Sequence, residues 1–122
     1  MVVQWLVNRR RFEQVVDRAL EALPAWVLDR IDNLVVVVEE KPKRDQDPDG
    51  DLLGLYEGVS LLDRSGDYWG ALPDQITIFR QPHLEMGLSD NDLAVEIRRT
   101  VFHEIGHYLG IEDDRLHELG WD

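Results

Sequence analysis

The sequence predicts an α+β domain. Three observations carry that reading: helical periodicity at both ends of the chain, short β-branched segments between them, and clusters of turn residues separating those segments. Helices, then strands, then helices suit layers segregated around one core. The chain has 122 residues with no internal repeat and no linker, so it reads as a single domain, 1–122, with 1–10 expected to be poorly ordered.

Phe12, Val15, Val16, Ala19, Leu20 and Leu23 recur at the spacing of one helix face. Pro24 ends that helix or starts a short second one through Trp26 to Ile31. Leu34 to Val38 is continuous and β-branched, which predicts a buried strand. Lys41 to Asp51 is a polar loop. Its Asp45, Asp47, Asp49 and Gly50 match the first half of a calcium loop, but Tyr56 stands where the bidentate Glu belongs, so a solvated loop is expected. Leu53 to Tyr56 and Val59 to Leu62 predict short strands, Asp67 to Asp74 a loop, and Gln75 to Arg80 a strand stopped by Pro82. His83 to Leu88 reads as irregular, with no role for His83.

Ser89, followed by Asp90 and Asp92, marks a helix start, because its side chain can cap free backbone amides and the acids suit the positive end of the dipole. Gly110 marks the stop, and a last short helix spans Asp113 to Leu119. At 100° per residue, Ala94, Ile97, Val101, Phe102, Ile105, Tyr108 and Leu109 fall within about 80° of Ile105 and form the core stripe. Arg98 falls inside that stripe and must snorkel or find a carboxylate.

His103 and His107 lie opposite the stripe, about 40° apart around the axis and about 6 Å apart along it. Two imidazoles so placed can converge on one ion. Glu104 points to another side, as a neighbour of the ion's open position. Gly110 permits a sharp turn, after which Asp113 can swing back toward the histidines, in competition with Glu112 and Asp114. An Asp113 N-cap on the last helix is the structural alternative. His117, one turn past Asp113, could close the site at four ligands, and a closed site is structural. The chain has no cysteine, so thiolate ligands, disulfides and a thiol nucleophile are excluded. The assembled pattern is H-E-x-x-H-x-x-G-x-x-D over residues 103–113.

That segment resembles the extended metzincin motif, with Asp in place of the usual third His, as in snapalysin-like enzymes. From Phe12 to Trp121 the chain resembles the small bacterial family of minimal zincin-like metallopeptidases, also through Leu53-Gly-Leu-Tyr-Glu-Gly58 and Leu72-Pro-Asp-Gln-Ile-Thr-Ile-Phe-Arg80. The resemblance implies a small mixed β-sheet packed on an active-site helix. It further implies Zn2+ held by His103, His107 and Asp113, Glu104 as general base, and a peptide or protein substrate. One departure stands out: metzincins carry a methionine turn after the third ligand, whereas Met1 and Met86 both precede the motif. The alternative is a non-catalytic zincin scaffold whose metal site is structural, regulatory or empty and which acts in protein binding.

The formal charge of −12 repels phosphate backbones, so nucleic acid is not an expected partner. It reads first as solubility and second as a preference for basic substrates. No apolar run approaches the roughly 20 residues of a membrane helix. The positive charges at Arg9 to Arg11 follow the first apolar stretch, the reverse of a secretory signal, so a cytoplasmic location is expected. Oligomeric state is not legible.

Overall fold

The structure, a computed structural model, describes residues 8–64 and 72–121. Its elements are α1 (Arg9–Glu21), α2 (Ala25–Leu28), β1 (Leu34–Glu39), β2 (Gly54–Glu57), a 3-10 turn (Leu61–Asp63), β3 (Asp74–Phe79), α3 (Arg80–Leu84), α4 (Asp90–Leu109) and α5 (Asp113–Leu119). The fold is α+β, with a three-stranded mixed sheet in the order β1-β3-β2. β1 runs parallel to β3, and β2 runs antiparallel to it with Gly54 opposite Ile78 and Tyr56 opposite Ile76. Among the described residues no helix is long and apolar enough to cross a membrane.

The core lies between the sheet, α1 and α4. Phe12, Val15, Val16 and Ala19 of α1 meet Ile97, Val101 and Ile105 of α4, over Ile76 and Ile78 of β3. α1 starts where the Asn8 side chain accepts from the backbone N–H groups of Arg10 and Arg11. Asn8 to Arg10 are the cap and first turn of a helix; residues 1–7 lie outside the described ones. α4 starts at Ser89, whose side chain accepts from the Asp92 N–H, and stops at Gly110 in a left-handed conformation with φ of 84°.

Four expectations are corrected. The Leu34 to Val38 run is an edge strand: Val38 is buried but Val35 is 40% exposed. β3 takes the centre instead, and a β-branched run alone cannot tell a centre from an edge. Val59 to Leu62 is not a strand. Gly58 breaks the extended chain at φ of 149°, and Ser60 and Asp63 then bond to each other through backbone and side chain, which winds a 3-10 turn. Pro82 does not stop β3; it sits in the first turn of α3, where a missing N–H costs nothing. His83 is not in a loop. It is fully buried in α3, edge-on to Phe12. The Asp67 to Asp74 loop falls mostly on residues outside the described ones.

In the polar loop, the Asp47 carboxylate accepts from the N–H groups of Asp49, Asp51 and Leu52 at 3.1, 2.9 and 2.7 Å. The regular spacing of acids thus serves a turn held by its own side chain.

His83 Nδ1 donates to the Phe79 carbonyl at 2.6 Å, since a carbonyl only accepts. Its Nε2 lies 2.9 Å from Thr100 Oγ1, and that hydroxyl also reaches the Glu96 carbonyl at 3.0 Å. Burial pushes the imidazole below its ordinary pKa, against smaller opposing effects of the Phe79 carbonyl and Glu96. The sign for stability follows. Above the unfolded value of about 6.5 both states are neutral and the contribution is complete. As pH falls below that value the unfolded chain takes up a proton that the folded chain resists, so stability drops. Urea unfolding of metal-free protein at pH 7.5 and 5.5 should show a loss that His83→Gln, lacking this titration, shows to a smaller extent.

Candidate metal centre

The centre is built on the last two turns of α4 and the first residue of α5. Helical spacing puts His103 and His107 on the side of α4 away from Ile97, Val101 and Ile105. Their Nε2 atoms are 3.0 Å apart, with the rings nearly perpendicular at 82°. The donor atoms of His103, Glu104 and His107 all lie within 4.8 Å of one another. Asp113 Oδ1 lies 3.6 Å from His107 Nε2, with its side chain 78% exposed.

These separations can be tested against a metal. A tetrahedral centre with bonds of about 2.0–2.1 Å has donor–donor edges of about 3.3–3.4 Å. The two observed edges, 3.0 and 3.6 Å, bracket that value. Two imidazole nitrogens and a carboxylate oxygen are a donor set that zinc accepts.

Asp113 is brought to His107 by two glycines. Gly110 ends α4, and the Ile111 N–H returns to the Gly106 carbonyl at 2.9 Å, closing the turn. α5 then packs back across α4 at Gly106, where a Cβ would lie 2.1 Å from Leu116 Cδ2. Only a glycine lets the fully buried Leu116 seat that closely. Asp113 is the first residue of α5, and Glu112 holds the N-cap position without a side-chain bond, so the alternative of an Asp113 cap is not what forms. His117 is exposed on α5, and neither it nor Asp113 belongs to the group of mutually close donors, which is His103, Glu104 and His107; Asp113 is close to His107 alone.

Glu104 is only 7% exposed. A Cβ at Gly54 would fall 3.1 Å from Glu104 Cγ and 2.8 Å from Thr100 Cγ2, so the bare glycine lets β2 lie against α4 at this residue. The Glu104 carboxylate accepts the backbone N–H of Tyr56. Burial raises its proton affinity above that of an ordinary Glu, while His103 and the Tyr56 N–H pull the other way. His107 moves below the ordinary imidazole value, through burial first and His103 second. Arg98 snorkels out of the apolar stripe and stacks over Phe102, 5.5 Å from the ring centre.

A groove runs past the centre between β2 and α4. One lobe, of 770 Å³, lies toward Gly110 and Asp114; a second, of 520 Å³, lies toward Glu96 and Arg99; both are lined by Leu52, Gly54, His103 and Glu104. Beside the groove lies a polar cluster that sequence reasoning missed. Asp74, 3% exposed, accepts from Tyr56 OH at 2.6 Å and from Arg64 Nη2 at 3.0 Å. Arg64 also stacks over Tyr108, 5.2 Å from the ring centre. The Tyr108 hydroxyl donates to the Asp32 carbonyl and accepts from the Asp32 N–H, so this residue is core, as expected. No local spacing announces the cluster, because Asp32, Tyr56, Arg64, Asp74 and Tyr108 come from five separate places in the chain. Gly106 inside the H-E-x-x-H spacing was the one available hint of a close helix contact.

The model of the zincin-like metallopeptidase family matches residues 31–121. No curated protein matches the chain. A solved structure described as a conserved hypothetical protein from Thermo thermophilus is similar, with a TM-score of 0.56 and 22% identity over 94% of this chain and 100% of that one. At that identity the likeness shows the fold alone. With a family match over most of its length and a His-Glu-His group able to hold a metal, the chain belongs to the zincin-like metallopeptidase family.

Proposed function

We propose that the protein is a zinc-dependent peptidase with His103, His107 and Asp113 as metal ligands and Glu104 as general base. The observation that carries this is the pair of donor edges at His107, 3.0 and 3.6 Å, beside a buried carboxylate on the floor of an open groove. Zinc bound there supplies a Lewis acid that lowers the pKa of water toward about 7 and polarises a scissile carbonyl.

The chain's own groups do the rest. Glu104 takes the proton released by the attacking water and passes it to the leaving amine. Burial beside β2 keeps its carboxylate aimed at one place. Among the described residues β2 has β3 on one side and the groove on the other, so an extended peptide can join it as a further strand.

The test is coordination followed by turnover. X-ray absorption on the zinc-loaded protein should report two imidazoles and a carboxylate with an exchangeable water, unchanged in His117→Ala. The same sample should cleave an unstructured peptide pool, lose that activity to a chelator and regain it with zinc. Loss of a nitrogen ligand in His117→Ala makes the site closed and structural, which favours the non-catalytic scaffold.

A further inference from the structure

The two lobes of the groove differ in charge. The larger carries Asp63, Glu112 and Asp114 in addition to the proposed ligand Asp113, and no lysine or arginine lines it. All 13 lysines and arginines of the chain fall among the described residues, and none of them lines this lobe. Two arginines adjoin these acids in the sequence: Arg64 follows Asp63 but turns inward to Asp74 at 3.0 Å and Asp32 at 3.5 Å, and Arg115 follows Asp114 but pairs with Glu118 at 2.8 Å. Arg99 lines the other lobe and is paired with Glu96 at 2.8 Å.

The acids are arranged around the groove and do not merely share a surface. Leu62 packs on the turn at Gly110, where a Cβ would lie 2.8 Å from Leu62 Cγ, so the 3-10 turn bearing Asp63 adjoins the segment bearing Glu112 and Asp114. Ser60 Oγ donates to Asp63 Oδ2 at 2.8 Å and orients that carboxylate. Leu55 and Ile111 line the same lobe and are partly buried. Apolar side chains leading to carboxylates fit a residue with an aliphatic stem and a cationic head.

We propose that the larger lobe receives a lysine or arginine side chain of the bound peptide, with Asp63 and Asp114 as the specificity-determining residues. This rests on the peptidase reading for the placement of the peptide in the groove. The preference is tied to one position along the peptide, on one side of the scissile bond, because the other lobe holds an arginine.

Binding tests it apart from turnover. Zinc-loaded Glu104→Gln protein is titrated with fluorescent unstructured peptides that carry Lys, Gln or Glu at each position in turn, at 0.15 M salt. The expected result is a Kd at least about 10-fold lower for Lys than for Gln at one position, and weaker binding still for Glu. Asp63→Asn with Asp114→Asn should abolish that difference. Asp17→Asn with Glu21→Gln, which removes the same charge from exposed sites on α1, should leave it intact. Equal binding of all three peptides overturns the proposal, and so does an equal loss in the α1 variant, which would mean bulk charge alone. If the preference is present but the wild-type protein cleaves none of the preferred peptides, the peptidase reading fails and the lobe's selectivity stands.

Discussion

Glu104→Gln is expected to lower peptide hydrolysis by about 10²–10⁴-fold, the usual worth of a positioned general base. Glutamine keeps the shape of a side chain that is 7% exposed and packed under Gly54. It also keeps an oxygen to accept the Tyr56 N–H. What it cannot do is take and return a proton. His103, His107 and Asp113 are untouched, so zinc affinity should stay within a few-fold of wild type. The pair of measurements is kcat/KM on a peptide and zinc affinity by competition with a chelator. Undiminished activity would move the base elsewhere; a parallel collapse of zinc binding would make Glu104 a ligand and leave the reaction without its base.

Asp74→Ala should be the most destabilising single change, by about 3–5 kcal/mol, the range for stranding one partner of a buried ion pair. Asp74 is 3% exposed, and the Arg64 side chain that it holds is 9% exposed. Removing the carboxylate takes away the buried acid against the guanidinium; Asp32, 3.5 Å away, is 78% exposed and holds it less strongly. The Tyr56 hydroxyl loses its acceptor as well. Burial, with Asp74 second, holds that phenol well above the usual tyrosine range, so it stays a donor at any working pH. Against a typical stability of about 5–15 kcal/mol, such a loss is a large fraction. Urea denaturation measures it. The double variant Asp74→Ala/Arg64→Met should recover part of the loss, because it removes the stranded charge. If the double variant is no better than the single one, charge stranding is not the cause.

The long helix was legible because two independent signals agree there: a sustained 3.6-residue stripe, and a Ser cap and Gly stop at its ends. The closeness of His103 and His107 follows from that helix by arithmetic, and that of Asp113 to His107 from a glycine turn. The strands were less legible. Leu34 to Val38 looks buried on both faces, yet whether a strand lies at a centre or an edge is decided by partners far along the chain. Val59 to Leu62 has strand composition, but the Ser60–Asp63 bond is a local competitor that composition does not weigh. His83 gives no signal because Pro82 beside it suggests a break, whereas a proline in a first turn breaks nothing. The Arg64–Asp74 cluster was invisible because its members meet only after the sheet has formed.

The seating of Leu116 against Gly106 has a consequence for the C-terminal segment. With the proposed ligand set, an ion that bridges His107 on α4 to Asp113 on α5 binds the docked arrangement more tightly than the undocked one, which keeps only the donors of α4, so occupancy and docking are linked functions. At a free zinc concentration of about 100 times the dissociation constant, that linkage adds at most about 2.7 kcal/mol to whatever opening undocks α5. Residues 113–121 thereby become the part of the molecule whose local opening depends most on zinc, and their amide exchange a gauge of zinc occupancy that needs no substrate.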